Sequence, residues 1–148
     1  MEAFVALLRA STAVTRQLNA ELVADHGLTI NDYEALLRLS RADDQQMKRV
    51  ELADSLILTA SGVTRLLDGL ERADYVRKGS CSSDARISYA VLTDKGRAKL
   101  EEASVSHVAG IRELFEARHD AEELAILARL LERLPGGADF DEGDCSPP

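Results

Sequence analysis

The sequence predicts a mainly α-helical fold with a small β-hairpin, on three observations. All three prolines, Pro135, Pro147 and Pro148, lie at the C-terminal end, so no proline interrupts a helix before residue 135. Apolar residues recur at spacings of three and four through most of the chain, the period of a helix face. A single stretch, Arg86 to Leu92, instead alternates as a strand does, with Ile87, Tyr89 and Val91 set against Ser88 and Ala90.

The first helix is expected over about residues 2–24. Phe4, Leu7, Leu8, Ser11, Val14, Leu18 and Leu22 make one stripe, and Gly27 marks its stop. Thr29 is an N-cap with Asp32 as a variant capping box, opening a helix over about 30–41 that turns Tyr33, Leu36, Leu37 and Ser40 inward. Asp43 to Gln46 is a polar loop. A short helix over about 48–55 presents Val50, Leu52 and Ala53. Thr59 then caps a helix over about 60–73 with Val63, Leu66, Leu67 and Leu70 on its inner face. Tyr75 to Gly79 and Arg86 to Leu92 are strand-like, and the Ser-rich stretch from Ser80 to Asp84 is their turn. Thr93 caps a long helix over about 94–118. A last helix over about 121–134 carries Leu124, Leu127, Leu130, Leu131 and Leu134. The tail, 135–148, is Gly, Pro and acid, a composition expected to stay disordered.

The chain has 148 residues and a formal net charge of −8, the size of one domain or of one fold with a fused dimerisation element. The charge is uneven: residues 41–99 carry a net +2, whereas residues 100–148 carry −8. No apolar run approaches the ~18 residues of a membrane helix, so no membrane partner is expected. Two cysteines make no disulfide framework, and without an export signal the cytoplasm is the expected compartment. His26, His107 and His119 have no metal-ligand spacing, and no cofactor motif is present. An enzyme fails on inventory: neither a Ser/His/Asp or Cys/His set nor a Gly-rich phosphate loop can be traced.

Short helix, turn, helix and two-stranded hairpin in residues 48–92 make a winged helix-turn-helix. The helix over 60–73 sets leucines on one face and Ser61, Thr64 and Arg65 on the other, with Gly62 near its start. Small residues let the backbone approach bases, hydroxyls donate or accept, and Arg65 can grip guanine or phosphate in a major groove that admits one helix. Arg77 and Lys78 sit on the first strand and Arg86 beyond the turn, where an arginine can enter a minor groove. Asp84 lies two residues before Arg86 and can orient it.

Asp84-Ala85-Arg86, followed after five residues by Leu92-Thr93 and then Gly96, resembles the wing signature of the MarR (multiple antibiotic resistance regulator) family. GLTINDYEALLRL and ELADSLILTASGVTRLLDGLERADYV resemble its second helix and its helix-turn-helix. The resemblance covers about residues 25–100 closely and 1–134 more loosely. It implies a winged helix-turn-helix over 28–99 fused to an intertwined helical dimerisation region built from 1–24 and 100–134. It also implies a homodimer on a pseudo-palindromic double-stranded operator, a repressor released by a small aromatic or anionic effector or by oxidation. By the same resemblance Arg86 is the minor-groove arginine, Asp84 its wing partner, and Thr59, Ser61, Thr64 and Arg65 meet DNA.

Two departures from the family pattern stand out. Asp74 replaces the usual glycine after the recognition helix, at a position that favours a left-handed backbone. The wing tip, Gly79 to Ser83, is poor in bases, which implies a shallower salt dependence. Effector-binding residues are not readable, although Arg16, Tyr33 and His107 can approach the cleft between the two regions. Cys81 is close enough in sequence to Arg77, Lys78, Asp84 and Arg86 for its oxidation to disturb the wing. The rival to DNA binding is an acidic winged-helix protein-interaction module, which predicts no salt-dependent affinity for duplex.

Overall fold

The computed structural model describes residues 1–56, 58–80 and 88–135. Helix α1 (Glu2–His26) stops at Gly27, whose left-handed backbone (φ 68°) returns N–H groups to the last turn. Helix α2 (Ile30–Arg41) opens on the expected box: the Thr29 side chain accepts from Asp32 N–H, and the Asp32 carboxylate accepts from Thr29 N–H at 2.9 Å. The Asn19 side chain of α1 accepts from Ile30 N–H at 3.0 Å, so the first turn of α2 is satisfied from a neighbouring helix.

A 3₁₀ turn (Asp43–Gln45) leads into strand β1 (Gln46–Lys48), helix α3 (Arg49–Ser55) and helix α4 (Ala60–Arg72). Strands β2 (Val76–Ser80) and β3 (Ser88–Leu92) precede the long helix α5 (Asp94–Glu116) and helix α6 (Ala121–Leu131). The expected hairpin forms, with β2 antiparallel to β3, and the sequence reading missed a third strand, β1, which extends the sheet to the order β1-β3-β2. Gln46, Met47 and Lys48 lie opposite Val91, Ala90 and Tyr89, so the polar loop and the start of the short helix give way to a strand. Three residues offer too little alternation to show a period. Their pairing is with residues more than forty positions away, which local pattern does not record.

The core lies where α2, α4, α5 and the sheet meet. Leu36, Leu39, Leu52, Leu67 and Leu100 have no solvent exposure, and Val63, Leu70, Val76, Ala90 and Leu92 close around them. Each such leucine is worth about 1.5–3 kcal/mol in transfer free energy. The terminal helices are different. Phe4 (59% exposed), Leu8 and Val23 on α1 stand open, as do Ile126, Leu127 and Leu130 (54%) on α6, where no residue is buried. Of the C-terminal tail, residues 136–148 lie outside the described residues.

Candidate nucleic-acid interface

Helix α4 is amphipathic because its apolar residues fall at 63, 67 and 70, one face at helical spacing. That face is in the core, with Val63, Leu67 and Leu70 buried. The opposite face is therefore fixed outward, and on it stand Ser61, Thr64 and Arg65, all exposed. Thr59 starts the helix: its Oγ1 accepts from Gly62 N–H at 3.2 Å and lies 3.2 Å from Ser61 Oγ. A side chain at Gly62 would put its Cβ 3.2 Å from that same Thr59 oxygen, so glycine keeps the first turn compact and the cap intact. Arg65 donates from Nε to the Ser61 carbonyl at 3.4 Å, which lays its stem along the helix and leaves the rest of the guanidinium facing solvent.

The end of α4 is locked to the wing and to α5. Asp74 takes the left-handed conformation expected of it (φ 62°). Its N–H donates to Glu71 and that of Tyr75 to Leu70, satisfying the last carbonyls of the helix. Thr93, capping α5 through Gly96 N–H, donates its hydroxyl to the Asp74 carbonyl at 2.7 Å. Lys95 donates to the Ala73 carbonyl at 2.7 Å with its ammonium 5.4 Å from the centre of the Tyr75 ring. Gly96 permits this approach, because any Cβ there would collide with the Tyr75 carbonyl oxygen and lie 2.9 Å from Leu92 Cδ1.

On the wing, Arg77 and Lys78 are both exposed while Val76 is buried. Lys78 Nζ lies 3.3 Å from Glu71 Oε2, and Arg49 Nη1 lies 3.8 Å from Glu71 Oε1, so one carboxylate of α4 joins α3 to β2. No local pattern signals this brace, since Arg49, Glu71 and Lys78 are spread over thirty positions. Arg77 makes no ion pair among the described residues. Gly79 is required by close packing: a Cβ would stand 2.9 Å from Val91 Cγ2. Thus Thr59, Ser61, Gly62, Thr64 and Arg65 share one helix start, and Arg77 and Lys78 share the strand beside it. Asp84, Arg86 and Cys81 lie outside the described residues.

Away from this face, Tyr33 and His107 do meet, with ring centroids 4.5 Å apart, and Tyr33 Oη lies 3.1 Å from Ser104 Oγ. Burial pushes the His107 imidazole below its ordinary value, with Glu21 opposing. Arg16 lies instead beside Leu8, Arg9 and Thr12 on α1. Among the described residues no three His, Cys, Asp or Glu side chains gather as a metal set. No described helix is long and apolar enough to cross a membrane.

The sequence model of the MarR family matches residues 28–88. The HTH-type transcriptional repressor YetL of Bacillus subtilis (strain 168) is 30% identical over 137 residues, covering 90% of this chain and 81% of that protein. The HTH-type transcriptional regulator MhqR of the same organism is 25% identical over 134 residues, covering 90% of each. Among solved structures, AbsC, a MarR family transcriptional regulator from Streptomyces coelicolor, aligns with a TM-score of 0.80 at 32% identity, covering 88% of this chain and 87% of that one. Sco3205 from the same organism, a MarR family regulator in complex with DNA, aligns with a TM-score of 0.84 at 26% identity over 95% of this chain and 88% of that one.

Proposed function

This chain belongs to the MarR family of transcriptional regulators, and from that premise we propose that it represses transcription by occupying a pseudo-palindromic operator as a homodimer. The observation that carries the reading is the outward face of α4. Its hydroxyls and Arg65 are aimed at solvent by a buried opposite face and flanked by the exposed cations of β2. Such a helix fits a major groove with its N-terminal turn toward phosphate and base edges. Thr59, Ser61, Gly62, Thr64 and Arg65 are the reading residues, Arg77 and Lys78 the strand contacts. Asp84 and Arg86 keep the wing-tip role that the sequence resemblance implies.

Two features support the pairing of two copies. The exposed apolar residues of α1 and α6 form faces that a single chain leaves in water, and a two-fold partner covers both at once. Two recognition helices then sit about one DNA turn, ~34 Å, apart. The activity is binding rather than turnover, in the cytoplasm, and repression is steric: the promoter is occupied until a signal changes the spacing of the two helices.

Selection of bound sequences from a random duplex pool tests this, followed by footprinting and sedimentation of the complex. An inverted repeat protected by two protomers, with affinity falling as salt rises, is the expected result. A chain that stays monomeric at micromolar concentration, or that shows no salt-dependent affinity for any duplex, refutes it.

A further inference from the structure

The Glu71 carboxylate of α4 stands between a cation of α3 and a cation of β2. Val76 is buried, and the side chain two positions on along a strand projects to the same face, so Lys78 is turned toward α4 while Arg77 projects the other way. Lys78 Nζ lies 3.3 Å from Glu71 Oε2, and Arg49 Nη1 lies 3.8 Å from Glu71 Oε1. The three side chains differ in cover: those of Arg49 and Glu71 are 20% and 22% exposed, that of Lys78 60%. Arg49 and Glu71 are therefore the fixed part of the cluster, and Lys78 is its loose arm. Glu71 also follows the exposed Thr64 by seven residues, close to two helical turns, so it closes a row that Thr64 begins on the outward side of α4.

An ion pair with so exposed a partner adds little stability, so the Lys78 ammonium yields readily to a phosphate. The exchange has its own salt balance. A free surface cation that binds a DNA phosphate releases a condensed counterion, and that release drives sequence-independent binding. Lys78 instead leaves a carboxylate behind: the phosphate gives up one cation, Glu71 recruits one from solution, and the net release is nil. Arg77 makes no ion pair among the described residues and carries no such offset. We propose that Glu71 is a positioning residue that withholds Lys78 from the counterion-driven part of duplex binding, so that the base of the wing gains this term through Arg77 alone. The inference rests on the DNA-binding function proposed above. Glu71 thereby lowers affinity for duplex of any sequence and leaves a larger share of operator affinity to the base contacts of α4.

The test is the salt dependence of affinity for a random-sequence duplex, read by fluorescence anisotropy with the full chain from about 0.05 to 0.2 M salt. Glu71→Gln keeps the size of the side chain and an oxygen for Arg49. It is expected to steepen the log–log slope by about 0.9 per bound protomer and to tighten binding roughly five- to tenfold per protomer near 0.1 M salt. In a Lys78→Ala background the same substitution is expected to leave the slope where it was. A purely structural brace predicts the opposite sign, weaker binding as α3 loosens from β2. Two other variants decide the matter if Glu71→Gln does not fold: Arg77→Ala is expected to flatten the slope by about 0.9 per protomer, and Lys78→Ala to leave it unchanged. Equal flattening by those two, an unsteepened slope in folded Glu71→Gln, or steepening that persists without Lys78 overturns the proposal. A parent chain with no salt-dependent affinity for any duplex refutes the proposed function and this inference together, whereas failed variants beside a parent that binds refute this inference alone.

Discussion

Replacing Gly96 by alanine tests the joint between the end of α4 and α5. An added Cβ meets the Tyr75 backbone carbonyl and, at 2.9 Å, Leu92 Cδ1. A carbonyl in a paired segment cannot rotate aside as a side chain would, so the first turn of α5 must move away. Overpacking of this kind costs about 1–3 kcal/mol. The movement also strains the Thr93 hydroxyl, whose single proton is shared between the Asp74 and Tyr75 carbonyls at 2.7 and 3.1 Å, an interaction worth about 1 kcal/mol. The helix preference for alanine over glycine offsets at most ~1 kcal/mol. The net expectation is a loss of about 1–4 kcal/mol, on the order of 2–16 °C in Tm for a chain of this size. Gly69 in α4 is the control, because a Cβ there meets nothing within 4 Å. Gly69→Ala should leave stability unchanged or raise it by up to ~1 kcal/mol. Urea unfolding at a fixed protomer concentration measures both. A Gly96→Ala protein as stable as the parent, or a Gly69→Ala protein that loses as much, would refute the steric argument.

Further outcomes are expected. Thr59→Ala should lower stability by ~1 kcal/mol through the lost cap, seen in the urea midpoint, and should weaken operator binding because the first turn of α4 frays. Leu67→Ala, at a position with no solvent exposure, should cost about 2–5 kcal/mol in the same assay. Arg65→Ala should weaken operator binding by ~1–3 kcal/mol in a gel-shift titration while leaving Tm unchanged, since the side chain is exposed. His107 carries a pH signature. Its folded pKa is depressed below the ordinary value of 6.5, so the unfolded chain takes up a proton first as pH falls. The stability it contributes is complete above 6.5 and is lost as pH drops toward its folded value. His107→Gln should flatten that part of the pH–stability curve, read from urea midpoints between pH 7.5 and 5 at roughly half-unit steps.

Much of the architecture is written locally. Thr29, Thr59 and Thr93 each cap the helix that follows, and the residues that accept or donate lie within three positions, so sequence alone places those helix starts. The inward face of α4 follows from leucine spacing, and its outward face follows by exclusion. The left-handed Asp74 was legible through the family resemblance, because it stands where that pattern usually has glycine. Other features depend on distant partners. Strand β1 exists because β3 has a second open edge. The His26 ring reaches Ser106 Oγ at 2.6 Å and Glu102 Oε1 at 3.2 Å, across some eighty residues. Lys99, and after it His26, hold the Glu102 carboxylate below the usual range. Glu71 as the brace for Arg49 and Lys78 likewise has no signature in spacing, since only the folded sheet brings β2 to α3.

The middle position of β3 has a consequence for how operators diversify. Because that strand is flanked by β1 on one side and β2 on the other, the base of the wing is held by two ladders and by the buried Val91 and Leu92. Lengthening the connection between residues 80 and 88 by a few positions adds only a few tenths of a kcal/mol in loop closure. On the function proposed above, the chemistry between residues 80 and 88 can therefore change between relatives while the sheet that anchors it stays put, so that sequence preference can evolve apart from folding.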